Sequence, residues 1–244
     1  MNEVLRQLNE RKSVRVFEDR EIDESVVRAI LTAAAMAPTA GNQQLYTILD
    51  ITNQSLKEKL SVTCDHQPFI AEAKMVLIFL ADCRKWYEAY LVIGESPRKP
   101  GAGDLLLAVS DANIAAQNAV IAAESLGIGS CYIGDIMENC EEVKKLLQLP
   151  EYVFPAAMLV FGYPTEQQKE RAKPNRFPLS YIVRENSYGN ISAEETIEAL
   201  KLRAYPAVSD IKTWLSAFCK RKYNSDFAKE MSRSVAEYLK EYER

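Results

Sequence analysis

The sequence predicts a layered domain of the α+β or α/β class with a helical tail. Three observations carry that expectation. Four apolar segments of strand length, at 45–51, 74–82, 131–133 and 155–163, are interleaved with helix-like stretches. An alanine-rich run leads from Asp111 to a glycine turn at Gly127. From Ser192 onward the pattern is helical, with no strand signal.

Each element has a local reason. The segment Asn2 to Glu10 puts Val4, Leu5 and Leu8 on one side of a short helix. Residues 11–17 are basic and then extended. Asp23 offers a cap to a helix through Val26, Val27, Ile30, Leu31 and Ala34. Pro38 stops that helix, because the residue before a proline is pushed out of the helical region. The cluster from Thr39 to Gln44 is a turn. A strand over 45–51 and a short helix over 56–60 follow. The run 74–82 is continuously apolar, which suggests a strand covered on both faces. Residues 84–93 are ambiguous, and 95–104 read as a loop.

The long helix comes next, lined by Ala112, Ala115, Ala116, Ala119, Ala122 and Ala123. Gly127 sits where a helix C-terminus favours a left-handed residue. A strand at 131–133, a helix at 141–147 and a strand at 155–163 complete the layered part. A polar loop then runs to Pro178. Ser192-Ala193-Glu194-Glu195 is a capping box, Pro206 interrupts its helix, and 211–222 and 227–242 make two more.

Bulk composition narrows the function. The chain has 244 residues, enough for one large domain or two small ones, and 48% of them are apolar. A net charge of −4 argues against a general nucleic-acid binder but leaves room for a local basic pocket. Five cysteines without a C-x-x-C pair suit a reducing compartment and give no zinc framework. His66 is the only histidine, so metal sites built on several imidazoles are excluded, and no metal is expected. A Ser-His-Asp triad would need His66 itself. The N-terminus is too polar for a signal peptide, and no segment approaches the ~20 apolar residues of a membrane span. A soluble cytoplasmic protein without membrane or nucleic-acid partners is expected.

The polar clusters remain open when taken singly. In an extended segment Arg11, Ser13 and Arg15 share one face, a pattern suited to a phosphate or to a solvated basic turn. Pro38 to Gln44 is rich in donors and acceptors, as are many ordinary loops. The glycines from Gly127 to Gly134 follow a helix and lack the G-x-G-x-x-G spacing, so a Rossmann nucleotide site is rejected. Lys173-Pro174-Asn175-Arg176 is a basic patch in a proline-bounded loop. Gln67 and His66 precede Pro68, and Cys131 has the pattern of a small core residue. Met231, Tyr238 and Leu239 have the spacing of packing residues.

The order of these clusters is more specific than any one of them. R-K-S-V-R, then P-T-A-G-N-Q-Q, then the alanine helix into G-I-G-S-C-Y-I-G, then K-P-N-R, resembles the nitroreductase family of FMN-dependent oxidoreductases. The resemblance is greatest to the longer NADPH-type oxygen-insensitive nitroreductases and flavin reductases, and it covers residues 1–190. It implies a nitroreductase-like α+β fold: a central, mainly antiparallel sheet flanked by helices, with a helical C-terminal extension. Residues 1–190 would form the FMN-binding domain, and 191–244 would pack on it or on a dimer partner.

The resemblance also implies roles. Arg11 and Ser13 fall where the family binds the FMN phosphate and ribityl chain. Arg15 falls at the pyrimidine edge, as electrostatic support for a flavin whose N5 carries the hydride. Pro38, Thr39, Ala40 and Asn42 fall on the loop lining the ring, and Gln67 where an amide meets the flavin. Tyr132, Ile133, Gly134 and Asp135 fall along the N5 side. Lys173 and Arg176 fall where the family closes on the phosphate. A homodimer with two FMN sites is implied, with the alanine helix in the dimer core. NADPH or NADH would reduce FMN, and a small-molecule electron acceptor (nitroaromatic, quinone or flavin) would then be reduced in ping-pong fashion. The arginine-bearing loop that reads the NADPH 2′-phosphate in the family has no match here, although Arg203, Lys220, Arg221 and Lys222 are present.

Overall fold

The computed structural model describes residues 1–206 and 208–243. They divide into two units, Met1–Arg171 with Glu230–Arg244, and Ala172–Lys229.

The larger unit is built on a four-stranded sheet in the order β1-β2-β4-β3, antiparallel throughout. Its strands are β1 (Tyr46–Asp50), β2 (Met75–Asp82), β3 (Gly129–Ile133) and β4 (Val153–Gly162). The helices are α1 (Glu3–Glu10), α2 (Glu24–Ala35), α3 (Gln54–Thr63), α4 (Phe69–Glu72), α5 (Arg84–Val92), α6 (Ala102–Ser125), α7 (Cys140–Leu147) and α8 (Glu166–Glu170). Every residue of β2 and β4 is buried, as the continuous apolar run of β2 suggests. Alternation along β2 sends Leu77, Phe79 and Ala81 into one core and Val76, Ile78 and Leu80 into the other. The first core lies under α2 and α6, and the second holds Leu60 of α3, Ile70 of α4 and Val143 of α7.

Helix α6 corrects the sequence reading in two ways. It begins at Ala102, inside the expected loop, because Asp104 accepts the Gly101 N–H at 2.8 Å and caps it. It is 24 residues long and contains an 18-residue window of mean hydropathy 1.4, so by length and composition alone it resembles a membrane span, which no segment was expected to approach. Its alanine face packs into the core of the chain itself. Ala108, Ala112, Ala115, Ala116, Ala119 and Ala123 are fully buried, and the helix packs on α2, β2 and β4. Small side chains let it lie close to the sheet, and this packing explains its hydropathy without a membrane. Residues 84–93, left ambiguous by the sequence, are mostly helix α5.

Helix α12 (Asp226–Leu239) enters the larger unit from Glu230 onward. Ser234 Oγ accepts the Cys140 N–H at 3.0 Å, and Glu230 Oε1 accepts that of Asn139 at 3.2 Å. These bonds serve donors that the start of α7 cannot satisfy internally. Tyr238 is fully buried, edge-on to Phe154 with ring centroids 5.0 Å apart. The smaller unit contains α9 (Leu179–Ile182), α10 (Ala193–Ala204) and α11 (Ile211–Lys222). Ser192 caps α10 by accepting the Glu195 N–H at 3.1 Å, as the capping box predicts.

Candidate functional site

The basic segment of residues 11–15 lies along the free edge of β3. Ser13 and Ser130 form a parallel bridge, and Val14 N–H donates to Ser130 O at 2.9 Å. Two glycines paired across β3 and β4, Gly129 and Gly162, make room for the segment. A Cβ at Gly129 would lie 2.6 Å from Val14 Cγ2, and one at Gly162 would lie 2.6 Å from Phe17 Cδ1. Residues 163–171 flank the other side of the segment. Gln168 Oε1 accepts the Arg15 N–H at 3.3 Å, and the Arg171 guanidinium donates to Ser13 O. Lys12 Nζ turns away from the shared face and donates to Arg171 O at 2.6 Å.

Arg11, Ser13 and Arg15 all act on the Cys131 thiol. Burial pushes that thiol up, while Arg15, a hydrogen bond with Ser13, and Arg11 oppose the shift. Arg11 also opposes the burial that pushes the Tyr132 hydroxyl up to about 12. All three therefore lie within electrostatic or hydrogen-bonding reach of one thiol. Two polar atoms here, Arg11 Nη1 and Ser130 Oγ, are buried and have no hydrogen-bond partner among the described residues. Buried polar groups are normally paired, so unpaired donors beside β3 suit an anionic ligand.

A second cluster surrounds Cys64, which is fully buried. Gln67 Nε2 donates to Cys64 O at 2.9 Å, in a turn where Asp65 and His66 have positive φ. Burial is the main force raising the Cys64 pKa, and Asp135 and Glu138 add to it. The Arg15 guanidinium lies 5.9 Å from the Phe69 ring centroid, just beyond that turn. Gln67 and Asp135 thus both act on Cys64, while Arg15 reaches the Phe69 ring two residues beyond Gln67. Between the clusters, Ile133 is buried, Gly134 opens a 3-10 turn, and the half-exposed Tyr132 donates its O–H to Gln117 Oε1 at 3.3 Å.

Pro38, Thr39, Ala40 and Asn42 are carried by α6 and not by β3. Asp111, 2% exposed, accepts the Ala40 N–H at 2.9 Å through Oδ1 and the Leu45 N–H at 3.2 Å through Oδ2. One carboxylate therefore fixes both ends of the loop. Thr39 Oγ1 accepts the Gln44 N–H at 3.2 Å, and Gly41 and Asn42 have φ of +57° and +56°. Lys173 and Arg176 belong to the smaller unit. There Arg176 lines a cavity of about 490 Å³ with Phe177, Arg203, Trp214 and Phe218.

The sequence reading missed two carboxylates. Asp111 had a signal, a lone acid in a stripe of alanines. Glu138 had none. It is 4% exposed, and its Oε1 has no partner among the described residues. Burial pushes it up to about 7, reinforced by Asp135, Asp65 and Glu230. No cluster of His, Cys, Asp and Glu suited to a metal ion occurs among the described residues.

The fold and its edge together define a layered α+β protein with a basic segment along the free edge of β3. Residues 8–163 match the nitroreductase family. Over 192 residues the chain is 32% identical to the CR(VI) reductase of Pseudomonas sp. (strain G-1), covering 79% of this chain and 78% of that protein. It is 30% identical over 246 residues to the FMN reductase (NAD(P)H) of Bacillus subtilis (strain 168), covering 100% and 92%. Among solved structures, NfrA2 of B. megaterium superposes with a TM-score of 0.83 at 29% identity, covering 99% of this chain and 98% of the other. The chain belongs to the nitroreductase family.

Proposed function

We propose that this protein is an FMN-dependent oxidoreductase that uses NAD(P)H to reduce small acceptors such as nitroaromatics, quinones or free flavins. The observation that carries this reading is the buried, unpartnered Arg11 Nη1 beside Ser13 and Ser130. It is a charge-assisted donor without an acceptor, which the phosphate of FMN would supply. The names of the B. subtilis relative and of the NADPH-dependent oxidoreductases of Staphylococcus aureus, 28% identical over 232 residues, support the same choice of group and reductant.

When bound, FMN supplies the two-electron chemistry between NAD(P)H and the acceptor, so the two substrates react in turn, a ping-pong scheme. The chain binds, orients and polarises. Arg11 and Ser13 hold the phosphate and ribityl chain. Arg15 presents a fixed positive charge to the pyrimidine edge, where charge stabilisation in a partly desolvated site is strong. Pro38, Thr39, Ala40 and Asn42 line the ring, and Gln67 offers its amide. The backbone from Tyr132 to Asp135 would serve the N5 side of the flavin. Lys173 and Arg176 are assigned to the phosphate on the K-P-N-R motif. No side-chain acid or base is required.

The reading includes a homodimer. Val4, Leu5 and Leu8 of α1 are 54%, 49% and 42% exposed, and Leu106 and Leu107 of α6 are 68% and 51% exposed. These apolar faces suit a second copy of the chain. Five free cysteines support a cytoplasmic location.

FMN titration of the flavin-stripped protein tests the reading. Arg11→Ala is expected to lose about 1.5–3 kcal/mol of FMN affinity. Equal affinity in variant and parent would overturn the assignment.

A further inference from the structure

A cavity of about 350 Å³ lies between α5, the loop at 97–100 and the start of α6. One wall is aromatic. Trp86 and Tyr90 are one helical turn apart, with ring centroids 5.9 Å apart and planes tilted by 40°. Tyr87 stands beside them, braced edge-on against Tyr152 at 5.8 Å. The opposite wall is Pro97, Arg98 and Pro100. The volume falls at the small end of ligand pockets and suits about two fused rings.

Both walls are fixed in place. The Trp86 indole N–H donates to Gln43 O at 2.7 Å, so the aromatic wall is tied to the loop at 38–44. Arg98 grips Asp104 with two bonds, at 2.6 and 3.0 Å, and Asp104 also caps α6. A preformed cavity costs less ordering on binding than one assembled around its ligand.

Its electrostatics select against ions. Arg98 and Asp104 neutralise each other at the rim. At the floor, Cys83 is 5% exposed, and burial pushes its thiol up to about 12, so it stays neutral. What remains is a slot of π-faces and prolines with guanidinium N–H groups at its mouth. Such a slot fits a flat, uncharged ring system and presents donors to oxygens on the ring edge.

We propose that this cavity binds an uncharged planar aromatic of about two fused rings bearing ring oxygens, stacked on Trp86 and Tyr90. The geometric argument stands on the cavity alone. That such a molecule is also an acceptor rests on the oxidoreductase reading above.

The probe is a naphthoquinone methylated at both free ring positions, so that thiols cannot add to it. In a Trp214→Phe background, Trp86 is the remaining tryptophan, and its fluorescence is read in the FMN-loaded full chain. Saturable quenching is expected. Tyr90→Ala should raise the dissociation constant by about tenfold, and Tyr90→Phe should restore it. A sulfonated analogue should bind at least about tenfold more weakly, because its charge would lose hydration between the aromatic and proline walls while the Arg98 charge is already paired with Asp104. Linear, unsaturable quenching, or equal dissociation constants in Tyr90→Ala and parent, would overturn the proposal. Flavin bleaching by NAD(P)H in the same sample separates the two readings. Bleaching without saturable binding removes only the cavity proposal, and saturable binding without bleaching removes only the oxidoreductase reading.

Discussion

Val14 stands so close over Gly129 that a single added carbon would collide with its side chain, at 2.6 Å from Cγ2 and 2.8 Å from Cβ. This contact sets how closely the basic segment approaches β3, and so where Arg11, Ser13 and Arg15 point. Gly129→Ala should therefore cost about 1–3 kcal/mol by overpacking. It should also weaken FMN binding, because the segment must move outward. Urea unfolding with a parallel FMN titration checks both, and an unchanged midpoint would show that the segment yields freely.

Arg11 and Arg15 lie on one face, but their proposed tasks differ, so their alanine variants should differ too. Arg15→Ala should slow reduction of the bound flavin by NAD(P)H about tenfold or more while FMN is largely retained. Stopped-flow reduction, with each variant saturated in FMN, makes the comparison. Equal reduction rates in Arg15→Ala and parent would refute a role at the pyrimidine edge.

Asp111 is the sole side-chain acceptor shown for the Ala40 and Leu45 N–H groups among the described residues. Asp111→Ala leaves both donors buried or half-buried without a partner, at a cost of about 2 kcal/mol or more. Asp111→Asn keeps one acceptor oxygen and should lose less. Amide exchange at Ala40 and Leu45 should accelerate in the alanine variant, and unchanged exchange would contradict the pinning.

Glu138 makes stability depend on pH in an unusual direction for a carboxylate. Its pKa is raised to about 7 by burial, with Asp135, Asp65 and Glu230 adding to the effect. The native state therefore holds a proton that the unfolded chain has released above its own carboxyl pKa of about 4.3. Stability from this group is full below that value and is lost as pH rises towards 7, by an amount on the order of 2 kcal/mol. Glu138→Gln should flatten the unfolding midpoint between about pH 5 and pH 8. A slope equal to that of the parent would contradict the assignment.

The sheet and the larger helices were legible because their causes are local. A continuous apolar run made β2, alanine spacing and Gly127 made the end of α6, and Ser192 announced α10. Alternation brought Arg11, Ser13 and Arg15 together as one group, and all three act on the Cys131 thiol. What was not legible depends on partners far along the chain. The Gly129–Val14 and Gly162–Phe17 contacts join positions that have no sequence relation. Glu138 owes its state to residues on three separate segments. The alanine stripe showed that α6 packs closely against something, but not that the partner is the chain's own sheet.

The central claim is that this chain holds FMN and reduces it with a nicotinamide. Visible absorbance of the purified protein, followed anaerobically as NADPH or NADH is added, tests it most directly. Flavin equimolar with the chain, bleached by at least one nicotinamide and restored by an added quinone, is the predicted result. A colourless protein that takes up no FMN, or a bound flavin left oxidised by both nicotinamides, would contradict it.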